Sequence, residues 1–117
     1  MNTPQVKIGC VKNVFVRQMH FMQNGDIEHG HTHPYDHITL LASGKLFVKI
    51  GDDVTEYTAP TMIFIKAELE HELVAASDNT VAYCVHALRD ENEDIIDPNM
   101  VPKSDKLSEL IAQLAFD

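Results

Sequence analysis

The sequence predicts an all-β domain whose short strands close into a barrel or sandwich. Three observations carry this reading. Apolar residues alternate with period two through most of the chain, turn residues interrupt the alternation roughly every ten residues, and helical spacing is confined to the stretch after Lys103. A chain of 117 residues is the size of one domain and can bury one core without staples. A single domain over 1–117 is therefore expected, with the barrel at about 5–90 and an acidic linker and short helix at about 91–117.

The first strand expected is Asn13 to Phe21, and the next is His37 to Leu41, which follows the turn Pro34-Tyr35-Asp36. Lys45 to Ile50 is the clearest. Leu46, Val48 and Ile50 share one face and Lys45 and Lys49 the other, between the turns Ala42-Ser43-Gly44 and Gly51-Asp52-Asp53. Strands at Val54 to Thr58, Met62 to Lys66, His71 to Ala76 and Thr80 to Leu88 complete the pattern, the last two separated by Ser77-Asp78-Asn79. Met19, Phe21, Phe47, Met62 and Phe64 are expected to pack in the core, as aromatic and methionine side chains in strands usually do. Beyond Leu88 the composition turns acidic, with Pro98 and Pro102, and Ser104 caps a short helix running through Phe116. Its stripe of Leu107, Leu110, Ile111 and Leu114 should pack against the barrel or a neighbouring subunit.

Apolar content of 44% and charged content of 23% are those of a globular protein, not of a disordered or fibrous one. A net charge of -9 repels phosphate backbones and anionic membranes, so nucleic acid and membrane are not expected partners. No apolar run is long enough to span a bilayer, and Met1-Asn2-Thr3-Pro4-Gln5-Val6-Lys7 lacks a signal-peptide core, so a cytoplasmic location is expected. The cluster Asp90, Glu91, Glu93, Asp94 and Asp97 reads as a solvated linker. Cys10 and Cys84 form no Cys-x-x-Cys arrangement, and reduced thiols are expected.

Four histidines in two segments carry the functional signal: His31, His33 and His37 in His-Thr-His-Pro-Tyr-Asp-His, and His71 in Glu-Leu-Glu-His-Glu-Leu. Neutral imidazole is the commonest protein ligand for first-row transition metals, and this set suits one divalent ion. On an extended backbone His31 and His33 point to the same side and can converge from a single strand. His37 rejoins them after the Pro34 turn. His71 returns through the fold once the Gly44 hairpin and two further strands have intervened. His20, His29 and His86 are isolated and read as surface or hydrogen-bonded strand residues.

The spacing Gly-x5-His-x-His-x3-His-x6-Gly over Gly25, His31, His33, His37 and Gly44, followed by the lone His71, resembles the pair of motifs of the cupin superfamily. The resemblance covers about Gly25 to Leu88 and implies a cupin-type jelly-roll β-barrel. It implies His31, His33, His37 and His71 as metal ligands, a homodimer, and a small-molecule ligand or substrate. His37 stands where the family usually has glutamate, as in the subset of small four-histidine cupins, some of which hold manganese. Lys66-Ala67-Glu68 stands where the family has Pro-x-Gly before the histidine.

Four neutral ligands leave the full charge of a divalent ion uncompensated, which favours an anionic ligand. On an octahedral ion they leave two adjacent positions, enough for a bidentate oxyacid or for substrate plus dioxygen. Dioxygenase and isomerase chemistry are both open at this stage, as is a non-catalytic sensor or ligand-binding module. Manganese or iron is expected by resemblance, and zinc, nickel, cobalt or copper would also accept such a shell. Glu28, Asp36, Glu68, Glu70 and Glu72 are candidates to orient the imidazoles, though each alone reads as surface charge. Tyr35, Tyr83 and His86 are candidate acids or bases. Tyr83 and His86 fall on opposite faces of their strand, so at most one can point inward.

Overall fold

Pairing of the alternating segments builds two facing antiparallel sheets. The computed structural model describes residues 2–96, and for His31 the backbone alone. The strands are β1 (Gln5–Val11), β2 (Val14–Phe21), β3 (Ile27–His31), β4 (His37–Ser43), β5 (Lys45–Ile50), β6 (Asp53–Thr58), β7 (Thr61–Ile65), β8 (His71–Ala75) and β9 (Thr80–Ala87). One sheet has the order β1-β2-β9-β4-β7 and the other β3-β8-β5-β6, a jelly-roll arrangement. Every strand expected from the sequence is present within one or two residues. β1 and β3 are additional, the first within the expected barrel limits and the second leading into the histidine segment. The expected helix at Ser104 to Phe116 lies outside the described residues. Among the described residues no helix is long and apolar enough to cross a membrane.

Register sorts the interior into levels, because partners across a ladder share a face and successive levels lie two residues apart. In the five-stranded sheet Met19 pairs with Ala82, and Leu41 pairs with both Ala82 and Thr61. Facing them, Ala75 pairs with Leu46 and Leu46 with Tyr57. Met19, Leu41, Leu46, Ala75 and Ala82 belong to one apolar cluster with Phe21, Val48, Ile63, Ile65 and Leu73, against which Tyr57 packs. Phe15 and Leu88 form a second, smaller cluster with Ile8 and Cys10.

Three residues expected in the core are outside it. Phe47, Met62 and Phe64 are 39%, 73% and 62% exposed. The reason is parity: Leu46 and Val48 flank Phe47 and take the inner face, and Ile63 and Ile65 do the same in β7. Met19 and Phe21 are in the core as expected.

The Gly44 turn shows why the barrel needs glycine at that point. Its φ is +82°, and a Cβ there would stand 2.9 Å from Thr80 Cα and overlap Thr80 Oγ1. That hydroxyl is itself fixed, 3.1 Å from the Lys45 carbonyl and 2.9 Å from the Ser77 carbonyl. Gly51 also has positive φ, +59°, but faces open space. Gly44→Ala should therefore cost about 2–4 kcal/mol from strain and overpacking together. Gly51→Ala should cost about 1 kcal/mol, from the left-handed backbone alone. Thermal unfolding of the two variants checks this, and equal melting temperatures would show that contact with Thr80 does not matter.

Candidate metal centre

Two loops at one end of the barrel are lashed to each other by one side-chain and one backbone hydrogen bond. Residues 32–36 join β3 to β4 and carry His33, and residues 66–70 join β7 to β8 and deliver His71. The Ala67 amide donates to Asp36 Oδ1 at 2.7 Å, and the Glu68 amide donates to the His33 carbonyl at 2.8 Å. Asp36, a candidate to orient an imidazole, thus holds the second loop against the first. Glu68 adopts φ +67°. This is the position where the sequence resemblance expects glycine, and the backbone takes the glycine-like conformation without it.

This frame gathers three imidazoles. Ring centroids are 5.5 Å apart for His33 and His37, 5.3 Å for His33 and His71, and 5.1 Å for His37 and His71. His37 and His71 are buried, His33 half-buried. His37 opens β4 in register with Ile65, and His71 opens β8 in register with Ile50. The expected shared strand for His31 and His33 is not observed. β3 ends at His31, its pairing with β8 is irregular between Glu28 and His31, and His33 reaches in from the loop. Pro34, which has no N–H for a ladder, keeps the strand from continuing. The backbone of His31 is in register with His71.

The tautomer of His71 follows from its hydrogen bond. Nδ1 lies 3.2 Å from the Leu69 carbonyl, an atom that only accepts, so Nδ1 carries the proton and Nε2 the lone pair. With bonds of about 2.1 Å to nitrogen, rings around a single ion have centroids roughly 4.5–5.2 Å apart. The observed spacings sit at the upper end of that range or just above it. Among the described residues, no group of three His, Cys, Asp or Glu side chains has its donor atoms already closed on one point. In kind, though not in closure, an imidazole donor set is one that suits a divalent transition metal.

A wall of rings continues from the cluster. Tyr35 stacks on His33 at 4.8 Å and lies 4.5 Å from His86, which stacks on Phe15 at 4.9 Å. The His86 ring is 6.4 Å from that of His37, and its Nδ1 donates to the Ala87 carbonyl at 2.7 Å. His86, isolated in the sequence but one of its three candidate acids or bases, stands beside the histidine cluster. Tyr83 does not: on the opposite face, its hydroxyl accepts from Gln18 Nε2 at 2.8 Å. The signal for His86 was its pairing with Phe15, which needs the strand register and not the local sequence. Of the other isolated histidines, His29 is exposed, and His20 Nε2 lies 3.2 Å from Asn79 Oδ1 at the surface.

One level deeper the interior is half polar. Arg17 pairs with Cys84 and Cys84 with Thr39 on the five-stranded sheet, while Glu28 pairs with Leu73 on the other. Arg17 Nη1 and Nη2 reach Glu28 Oε2 and Oε1 at 2.8 and 3.3 Å. Glu28, another candidate to orient an imidazole, is thus committed to a cation. Cys84 Sγ lies 3.6 Å from Thr39 Oγ1. Burial pushes the Cys84 thiol above its usual range, against smaller downward pulls from the Thr39 contact and the Arg17 charge. Glu72 Oε2 accepts the Gly30 amide at 3.2 Å, and an open cleft of about 260 Å³ bordered by Lys49, Asp52, Glu70 and Glu72 touches His71 from the rim.

No protein-family model and no curated protein matches the chain. Solved structures do. KdgF from Halomonas sp. aligns with a TM-score of 0.65 at 17% identity, over 75% of this chain and 81% of that one. An uncharacterised conserved protein with a double-stranded β-helix domain from Klebsiella pneumoniae gives 0.64 at 20% identity, covering 73% and 76%. An RmlC-like cupin from Methanocaldococcus jannaschii gives 0.65 at 11%, covering 74% and 82%. At these identities the likeness establishes the fold: the chain has the double-stranded β-helix of cupins.

The Glu68 conformation yields a test of how the loop is held. Left-handed backbone costs a non-glycine residue about 1–2 kcal/mol. Glycine would relieve that and lose part of the gain to chain entropy, so Glu68→Gly should stabilise the protein by about 0.5–1 kcal/mol. Chemical denaturation checks it. A lower midpoint in the variant would mean that the Glu68 side chain contributes more than its backbone loses.

Proposed function

We propose that the barrel binds one divalent manganese or iron ion through His31, His33, His37 and His71, and uses it to activate a small oxygen-rich molecule in dioxygenase or isomerase chemistry. The observation that carries this reading is the gathering of His33, His37 and His71, from two distant segments, into one cluster of rings 5.1–5.5 Å apart. With its Nδ1 proton on the Leu69 carbonyl, His71 would use Nε2 to hold an ion. A bound ion would supply Lewis acidity and two coordination positions for the ligand.

The residues around the cluster suit the same reading. Tyr35 and His86 form a wall beside the rings, able to hold a flat ligand and exclude water from one side. Because His86 keeps its Nδ1 proton on the Ala87 carbonyl, Nε2 is the atom at which it would take up or release a proton. We take the protein to work in the cytoplasm as a homodimer. The exposed Ile38, Met62 and Phe64 on the outer face of β4 and β7 are consistent with a covered surface there.

Elemental analysis of untagged protein purified without chelator is the test. About one equivalent of manganese or iron is expected, followed by dioxygen-uptake and isomerase screens with bidentate oxyacids. His33→Ala and His71→Ala should each lower metal affinity by about tenfold or more, to a similar degree, since they come from different segments but share one ion. No bound metal after reconstitution, or full occupancy in the His71→Ala protein, would overturn the assignment.

A further inference from the structure

The ion pair beneath the histidines has an uncommon setting. Arg17 stands on the inner face of β2, one level below Phe15 and His86, and Glu28 on the inner face of β3, one level below His71. The pair crosses the interior from one sheet to the other. Its side chains are 30% and 17% exposed. At the same level Leu73, Ile63 and Val48 are 2%, 3% and 1% exposed. Water therefore reaches this half of the level and not the apolar half.

A guanidinium has five N–H donors in a rigid fork, and the contacts to Glu28 use two. Glu28 fixes the plane of the group, which leaves the edge at Nε for a second planar anion. A partly exposed ion pair contributes little to stability, so bolting the sheets together gives weak reason for a planar fork here. The neighbours Thr39 and Cys84 make this side of the wall polar.

We propose that Arg17, positioned by Glu28, receives a carboxylate of the pocket's ligand, a second acidic group in addition to the oxygen donors bound at the histidines. This rests on the metal-site reading and narrows its substrate class to small hydroxy or oxo diacids. One level along a strand is about 6.7 Å, comparable with the length of a four- or five-carbon diacid.

The test compares 2-hydroxyglutarate with 2-hydroxyvalerate, which has the same carbon chain without the second carboxylate, by calorimetry on manganese-reconstituted protein. The diacid should bind at least tenfold tighter to the wild type. Arg17→Gln combined with Glu28→Gln leaves no lone charge in the interior and keeps the variant foldable; it should abolish the preference while metal content and 2-hydroxyvalerate affinity stay unchanged. Arg17→Lys, with charge but no fork, should keep only part of it. Equal affinities in the wild type, or a preference that survives in the double variant, would overturn the proposal. Glutarate titrated into metal-free protein separates the two readings. Arg17-dependent glutarate binding in a protein that takes up no metal would sustain the Arg17 assignment and sink the metal site. One equivalent of metal with no diacid preference would do the reverse.

Discussion

β4 is paired along both edges, with β9 from Ile38 to Ser43 through a register shift after Leu41 and with β7 from His37 to Leu41, and this double pairing fixes the depth of the side chains that the middle of the five-stranded sheet sends inward. A slip of one residue would send Ile38, Leu40 and Ala42 inward and turn His37, Thr39 and Leu41 out. The observed register places His37 beside Ile65 and Thr39 beside Cys84, and makes Leu41 the floor of the polar end. The Gly44 turn anchors that register, because its backbone packs on the Ser77 to Thr80 turn at the entry to β9. A contact at the closed end of the barrel thus determines where a histidine stands at the open end.

The interior charges obey a stricter rule than the apolar ones. An ionised group inside a protein must find a partner or lose its charge, and Arg17 and Glu28 satisfy each other across the gap between sheets. Thr39 and Cys84, with no charge to match, share a contact instead. The apolar core runs from Met19, Phe21, Leu46 and Ala75 along one side to Ile65 beside His37, and the polar side chains occupy the other side of the same levels.

Most of the strands were legible because one face is buried, so alternation was strong in Lys45 to Ile50; β6, almost wholly exposed, was readable from the turn before it and its β-branched residues. Phe47, Met62 and Phe64 were misassigned because size was used where parity decides. β1 was hard to read for a physical reason: at the sheet edge its residues are exposed or half-buried, and alternation fades. The histidine cluster was legible as a set of residue types at family spacing. The geometry that supports it was not. The Asp36 to Ala67 bond, the placement of His86 and the Arg17 to Glu28 pair all join residues more than ten positions apart, and local pattern carries no record of such pairings.

His37 sharpens the connection between the two polar levels. Where the resemblance expects a carboxylate, this chain has an imidazole, buried in register with Ile65 and one level above Glu28. A carboxylate there would add a second interior anion with Arg17 already engaged, and would cancel part of the charge of any ion bound at the cluster. An imidazole leaves that charge in place. On the proposed reading, neutralisation then falls to the ligand, whose first acidic group meets the ion and whose second meets the Arg17 fork. The imidazole at 37 thus makes an anionic ligand the missing member at the cluster, while the remaining edge of the Arg17 fork, whose charge Glu28 already balances, would set the direction of that ligand and add no uncompensated charge.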